Sequence, residues 1–231
     1  MWQESNSIDD LLVPTDGHKI NPAVIASVEK KSIAEEIGFE SGDAIVAING
    51  KKPRDLIDYQ ILINEEILEL TVKDKQEKIH VIKIEKEQDA NLGINFKDAL
   101  FDSLKQCNNN CPFCFIDQQP TGKRKTLYIK DDDYRLSFLY GSYLTLTNLR
   151  EIDWERISIQ KLSPLYISVH STNADIREKL LKNKKARDIV NQIEWFADKS
   201  LQIHAQIVVC PGINDGKILE DSINTLSKLY F

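Results

Sequence analysis

The sequence has few cysteines, no long apolar run and no excess of positive charge. Only four of its 231 residues are cysteine, whereas a secreted disulfide framework spreads an even number of cysteines along a short chain. No apolar stretch approaches the roughly 20 residues that a membrane-spanning helix needs, and residues 1–5 lack the basic and apolar regions of a signal peptide. We therefore expect a cytoplasmic protein with no membrane partner.

The charge balance is slightly acidic. Asp and Glu number 36 against 30 Lys and Arg, which gives a formal net charge of −6. An acidic surface disfavours general affinity for phosphate backbones, so nucleic acid is not indicated as a partner. Hydrophobic residues make up 42% of the chain, which is enough to build proper cores.

The pattern of predicted elements changes near residue 90, from short β-rich units to strands that alternate with longer helices. This change predicts two domains, 20–85 and 93–231. The first contains short β-rich units and two helices, the first helix opened by a capping box at Ser32 and closed by Gly38. A small barrel capped by two helices fits this pattern. The predicted strands are Val24–Val28, Ala44–Ile48, Ile67–Val72 and Ile79–Ile84, and the longer helix is Asp55–Ile63.

The order of motifs in the first domain resembles a PDZ domain of the bacterial type. The matching segments are Ser32–Gly38, Ser41–Ile45, Ile48–Lys51 and the helix from Asp55. The resemblance implies a peptide or protein ligand that adds to a sheet edge as an extended strand. The Gly-Leu-Gly-Phe type loop of that family is not recognisable at residues 18–22, so a packing or substrate-guiding role stays open beside peptide binding.

The second domain alternates strands with helices, which predicts an α/β fold with a parallel sheet. Loops at the carboxyl ends of such strands carry the chemistry. The chain ends after the fourth helix, so we expect a fragment of a larger barrel. The predicted strands are Gly93–Phe96, Tyr143–Thr147, Leu165–Val169 and Gln202–Val209, and the helices are Leu149–Gln160, Ala174–Leu181, Ala186–Lys199 and Lys217–Leu229.

Three of the four cysteines, Cys107, Cys111 and Cys114, lie within eight residues. Soft thiolates at this spacing select iron–sulfur or zinc centres. An Fe–S cluster of the four-iron type normally takes four cysteines, so three ligands leave one iron open for chemistry. Structural zinc completed by His170 or His204, and a cluster used only for electron transfer, are the alternatives.

The C-x3-C-x2-C pattern, with Phe113 directly before its last cysteine, resembles the radical S-adenosylmethionine superfamily. That resemblance implies a partial (β/α) barrel, and a [4Fe–4S] cluster on Cys107, Cys111 and Cys114 whose open iron binds S-adenosylmethionine. It further implies reductive cleavage of S-adenosylmethionine, an unknown substrate, and an electron donor such as a flavodoxin or ferredoxin. Together with the PDZ-like domain, it resembles a bacterial family described as Fe–S oxidoreductases.

Five residues are candidates for contact with the bound cofactor. The superfamily's Gly-Gly-Glu motif is replaced here by a segment in which Thr145 and Asn148 could form hydrogen bonds to the cofactor. The alternative explanations are ordinary strand alternation and, for Asn148, a helix cap. Ser168 and His170 end the third predicted strand, where one of them could contact the carboxylate or ribose of the cofactor. The alternative is a polar group at a strand end whose hydrogen bonds are satisfied within the protein. Phe113 belongs to the cysteine motif. The run Asp131–Asp133 is best explained as a solvated helix start.

Overall fold

The structure is a computed structural model that describes residues 12–13, 17 and 19–229. The chain divides into two compact units, Met1–Ser103 and Leu104–Phe231. Residues 1–5 and His18, on which two of the sequence predictions depend, lie outside the described residues. No helix in the described ranges combines the length and the apolar character needed to cross a membrane.

The N-terminal unit is built on an antiparallel sheet in the order β4-β3-β2-β1-β5. All four strands and both helices predicted between residues 24 and 84 are confirmed. The elements are β1 (Ala23–Val28), α1 (Ile33–Glu36), β2 (Ala44–Ile48), α2 (Leu56–Leu62), β3 (Ile67–Lys73), β4 (Ile79–Glu85) and β5 (Ile94–Phe96).

Local sequence explains the helix starts of this unit. The Ser32 hydroxyl accepts from the Glu35 N–H at the start of α1, and the Asp55 carboxylate accepts from the Ile57 and Asp58 N–H groups in the first turn of α2. These caps satisfy amide donors that have no partner within a helix. The strands then supply much of a core whose fully buried members include Ile25, Ile45, Ile48, Leu68 and Leu70.

Two predictions for the N-terminal region are wrong. The sheet of the described residues is open, with β4 and β5 at its edges, rather than a closed barrel. The strand predicted at Gly93–Phe96 does not lead the parallel sheet, because β5 pairs antiparallel with β1. Gly93 has a φ of +77°, and this left-handed turn brings the chain back alongside β1.

The C-terminal unit contains the predicted parallel sheet, in the order β6-β7-β8. Helices connect its strands, and the described residues form no closed barrel. The elements are α3 (Tyr134–Tyr140), β6 (Tyr143–Leu144), α4 (Glu151–Ile159), β7 (Leu165–Ser168), α5 (Ala174–Leu181), α6 (Ile189–Asp198), β8 (Ile203–Gln206) and α7 (Gly216–Leu229), with short 3-10 helices at Lys125–Tyr128 and Lys184–Asp188.

Several boundaries in this unit differ from the sequence prediction. Strand β6 ends at Leu144 rather than Thr147, because Leu146 adopts a φ of +61° that cannot continue a strand. The predicted helix 186–199 begins as the 3-10 helix Lys184–Asp188, with Asn183 as its cap. For helix α3 (Tyr134–Tyr140), the sequence predicted only a helix start at Asp131–Asp133. These departures all lie near the carboxyl ends of the strands or on the segments that pack there.

The close approach of Gly93 to α1 yields a stability prediction. A Cβ at Gly93 would lie 2.3 Å from the Ser32 Cβ, whereas one at Gly38, whose φ is also positive, meets open space. We expect Gly38→Ala to lower the free energy of unfolding by about 1–2 kcal/mol through backbone strain, and Gly93→Ala to lower it by ~1–3 kcal/mol more through overpacking. Urea denaturation of both variants measures the difference, and equal losses would contradict the packing.

Candidate functional site

The cysteine loop is fixed to its own unit at two backbone positions. The Cys107 N–H donates to the Lys130 carbonyl over 2.9 Å, and the Asn110 N–H donates to the Leu181 carbonyl over 3.0 Å at the end of α5. Cys111 and Phe113 pack against an apolar cluster formed by Leu180, Leu181 and Ala186. The loop is therefore held by α5 and by the segment that precedes α3.

The three thiols are partly buried and influence one another. Burial raises the pKa of Cys107, and burial followed by the nearby Cys107 and Cys114 raises the pKa of the Cys111 thiol to about 11. Among the described residues, no group of three or more His, Cys, Asp or Glu side chains is arranged to hold a metal ion. The donor chemistry of the loop, three cysteine thiols, fits an iron–sulfur cluster.

Asn109 connects the loop to the end of β6. Its Nδ2 lies 3.3 Å from the Cys107 Sγ, 2.9 Å from the Thr145 Oγ1 and 3.1 Å from the Thr147 Oγ1. Its Oδ1 accepts from the Asn183 Nδ2 over 2.8 Å. One buried amide thus joins a predicted cluster ligand to Thr145, a predicted cofactor contact.

Two of the three aspartates before α3, Asp132 and Asp133, are buried, whereas Asp131 is exposed, so the interpretation as a solvated helix start is wrong in part. Asp133 does cap α3, but it also forms a buried ion pair with Arg135. Asp132 accepts from both the N–H and the hydroxyl of Thr145, each over 2.6 Å. Burial raises the pKa of Asp132, and the bonds from Thr145 oppose this rise. Asp132 therefore holds Thr145 in place, and Asp133 holds the start of α3.

The hydroxyl of Thr145 is already engaged by this network. It donates to Asp132 and accepts from Asn109, so its observed role is to connect those two residues. Asn148 does not cap a helix, because α4 begins after Arg150. Its Nδ2 instead donates to the carbonyls of Gln106 and Asp132. The Asn148 Oδ1 is buried and has no hydrogen-bond partner in the described structure.

Ser168 and His170 lie together at the end of β7, and both are buried. The His170 ring meets the Phe113 ring edge-on with centroids 4.8 Å apart, and its Nδ1 accepts from the Val208 N–H. Burial, with a smaller contribution from the charge of Arg177, lowers the pKa of His170 to about 4. The imidazole is therefore neutral at physiological pH, and Phe113 connects it to the cysteine loop.

Two residues that sequence reasoning missed hold the strand ends in place. The Arg177 guanidinium is fully buried and donates to the backbone carbonyls of Thr145, Ser168, Val169 and Ala186. Asn214, in the turn after β8, donates to the His170 and Val208 carbonyls. The sequence around Asn214 is typical of an ordinary turn, and nothing local distinguishes Arg177 from a surface arginine of α5.

Comparison with known proteins agrees with this two-part architecture of a PDZ-like β-rich unit and a mixed α/β unit. The family model of a radical SAM-like domain matches residues 86–231. The chain therefore belongs to the radical SAM-like domain family. The model of a PDZ domain matches residues 24–74.

The structural and curated comparisons add little. The solved PDZ domain of the SdrC-like protein from Listeria innocua is 20% identical, with 35% of this chain and 99% of that chain covered. Its TM-score of 0.29 is too low to support an argument about the fold. No curated protein matches the chain.

The lowered pKa of His170 predicts a loss of stability in mild acid. The unfolded chain takes up a proton near pH 6.5, but the folded chain does so only near pH 4. The free energy of unfolding should therefore fall by about 3 kcal/mol as the pH falls between those values. His170→Asn keeps an acceptor for the Val208 N–H and tolerates the positive φ, so it should lack this contribution.

Urea denaturation of both proteins between pH 7 and pH 4 measures the effect. The difference between the two plots of unfolding free energy against pH isolates the contribution of His170, since Asp132 is present in both proteins. Parallel curves would mean that His170 protonates equally in the folded and unfolded states.

Proposed function

We propose that this protein is a radical S-adenosylmethionine enzyme that reductively cleaves its cofactor to act on a substrate of unknown identity. The observation that carries the proposal is the cysteine motif of a radical SAM-like domain, in a loop held by α5, the helix that follows strand β7 of a parallel sheet. Membership of the family supports the cofactor and the reaction class. Assignment as an Fe–S oxidoreductase is part of the same proposal.

Cys107, Cys111 and Cys114 would hold a [4Fe–4S] cluster. When bound, such a cluster supplies the electron for breaking the sulfonium C–S bond of S-adenosylmethionine. The raised pKa values of Cys107 and Cys111 mean that these thiols are protonated in the metal-free chain at neutral pH. They must release protons to become ligands, so cluster loading should be favoured as the pH rises.

Asn148, Ser168, His170 and Phe113 would bind S-adenosylmethionine. The orphaned Asn148 Oδ1 supports this, because the amino group of the cofactor is a donor and Asn148 lies beside Gln106, directly before the first cysteine. Neutral His170 offers an uncharged surface beside Phe113. Thr145 contributes indirectly, by tying Asn109 to Asp132.

Other roles from the sequence stay predictions. The PDZ match supports a peptide or protein ligand for the N-terminal unit, and β5, at the edge of its sheet, is a strand to which a peptide could add. A flavodoxin or ferredoxin as electron donor and a cytoplasmic location are likewise predictions. The domain limits 20–85 and 93–231 remain proposals beside the structural division after Ser103.

Anaerobic reconstitution with iron and sulfide tests the proposal. We expect roughly four irons per chain, and 5′-deoxyadenosine after addition of S-adenosylmethionine and dithionite. Alanine at Cys107, Cys111 or Cys114 should abolish both. Cys210→Ala is the matched control and should change neither, because the proposed cluster does not use that thiol.

Three outcomes would contradict this assignment. Near-stoichiometric zinc after anaerobic purification would indicate a structural metal site in a peptide-binding scaffold. A cluster whose spectrum is unmoved by S-adenosylmethionine would indicate electron transfer. Loss of iron in Cys210→Ala would mean that a fourth protein ligand closes the site.

A further inference from the structure

We propose that the side chain of Asn109 sets the reduction potential of the cluster by donating an N–H to the sulfur of Cys107. This inference rests on the proposed function and extends it to a residue that is not itself a ligand. Hydrogen bonds to cluster sulfurs are among the features that set Fe–S potentials. Asn109 is thereby a positioning and tuning residue.

The contact itself is well defined. Asn109 is only 6% exposed, and its Nδ2 lies 3.3 Å from the Cys107 Sγ. Two further acceptors near the Nδ2 are the hydroxyls of Thr145 and Thr147. Those hydroxyl oxygens are 2.9 Å apart, so they can share one amide hydrogen. The other hydrogen of the amide is left for the sulfur.

The orientation of this amide is fixed by a chain of partners that begins at a backbone donor. The Lys185 N–H can only donate, and it donates to the Asn183 Oδ1 over 3.0 Å. The Asn183 Nδ2 must therefore point away from the Lys185 N–H, and it donates to the Asn109 Oδ1 over 2.8 Å. With its oxygen held by Asn183, Asn109 has its Nδ2 directed at Cys107.

The sign of the effect follows from charge. Reduction adds one electron to a centre held by thiolates, and an N–H directed at a ligand sulfur favours the more negative state. Loss of that N–H should therefore lower the reduction potential. Removing the Asn183 donor should act in the same direction, because the Asn109 amide would lose the partner that directs its nitrogen at the sulfur.

The chain provides a matched control in the same loop. Asn110 is exposed, and within the described structure its side chain makes no hydrogen bond. The variants Asn109→Ala and Asn110→Ala delete the same amide one residue apart. Asn110→Asp adds a negative charge to the same loop without removing a hydrogen bond, so it gives the effect of added charge on the potential.

The experiment is a redox titration of the reconstituted full chain, followed by electron paramagnetic resonance, with iron content and thermal stability recorded for each variant. We expect Asn109→Ala to lower the equilibrium constant for one-electron reduction about tenfold, which corresponds to about 59 mV. Asn110→Ala should match the wild type. Asn183→Asp, which keeps the acceptor for Lys185, should lower the potential more than Asn110→Asp does.

The outcomes separate this inference from the function on which it rests. If the wild type holds a four-iron cluster and Asn109→Ala has the same potential as Asn110→Ala, the inference is wrong and the proposed function stands. If Asn109→Ala fails to load a cluster, the reduction potential of Asn183→Asp tests the inference instead. A potential of Asn183→Asp equal to that of Asn110→Asp overturns the inference. If the wild type holds no four-iron cluster, both proposals are wrong.

Discussion

A buried cation bonded to backbone carbonyls is the constraint on which the C-terminal unit depends. Arg177 places its guanidinium where the ends of β6 and β7 meet the 3-10 helix Lys184–Asp188, and it donates to a carbonyl from each of these segments. Burial lowers the pKa of Arg177 to about 10, an effect opposed by the charge of Asp132. The residue thus stays charged at neutral pH, and its cost of burial is offset by hydrogen bonds to four backbone carbonyls.

The remaining site geometry follows from that arrangement. Arg177 holds the carbonyl of Thr145, and the hydroxyl of Thr145 lies between Asp132 and Asn109. Asn109 in turn contacts Cys107. A second connection leads from the Val169 carbonyl, through the adjacent His170 ring, to Phe113 of the cysteine loop. The loop has no helix or strand of its own between residues 107 and 114, so these side-chain contacts and the backbone bonds of Cys107 and Asn110 define its conformation.

The sequence was informative wherever the determinants are local. The hydrophobic pattern predicted both β2 and α5 to the residue, and the structure shows a local reason for the start of α5, because Asn173 caps it. The three cysteines were identified because their spacing is a local pattern. The parallel sheet followed from the alternation of strands with helices.

The sequence failed where long-range contacts decide the structure. Strand β5 has only three residues, and nothing within them shows that they pair with β1 rather than with a parallel sheet. Asp132 was interpreted as solvated because aspartates usually are, and only the fold brings Thr145 to it. Asn109 and Asn183 are 74 residues apart, and their contact leaves no local signal.

The claim that Arg177 organises the site is tested most directly by hydrogen exchange of the metal-free chain. Arg177→Met is compared with Arg187→Met, which removes an exposed arginine paired with Asp175 and Glu178. The account predicts faster exchange at residues 144–148 and 168–172 in Arg177→Met alone, with the N-terminal sheet unchanged. Exchange that rises uniformly throughout residues 104–229 would contradict it, because Arg177 would then add general stability without fixing the strand ends.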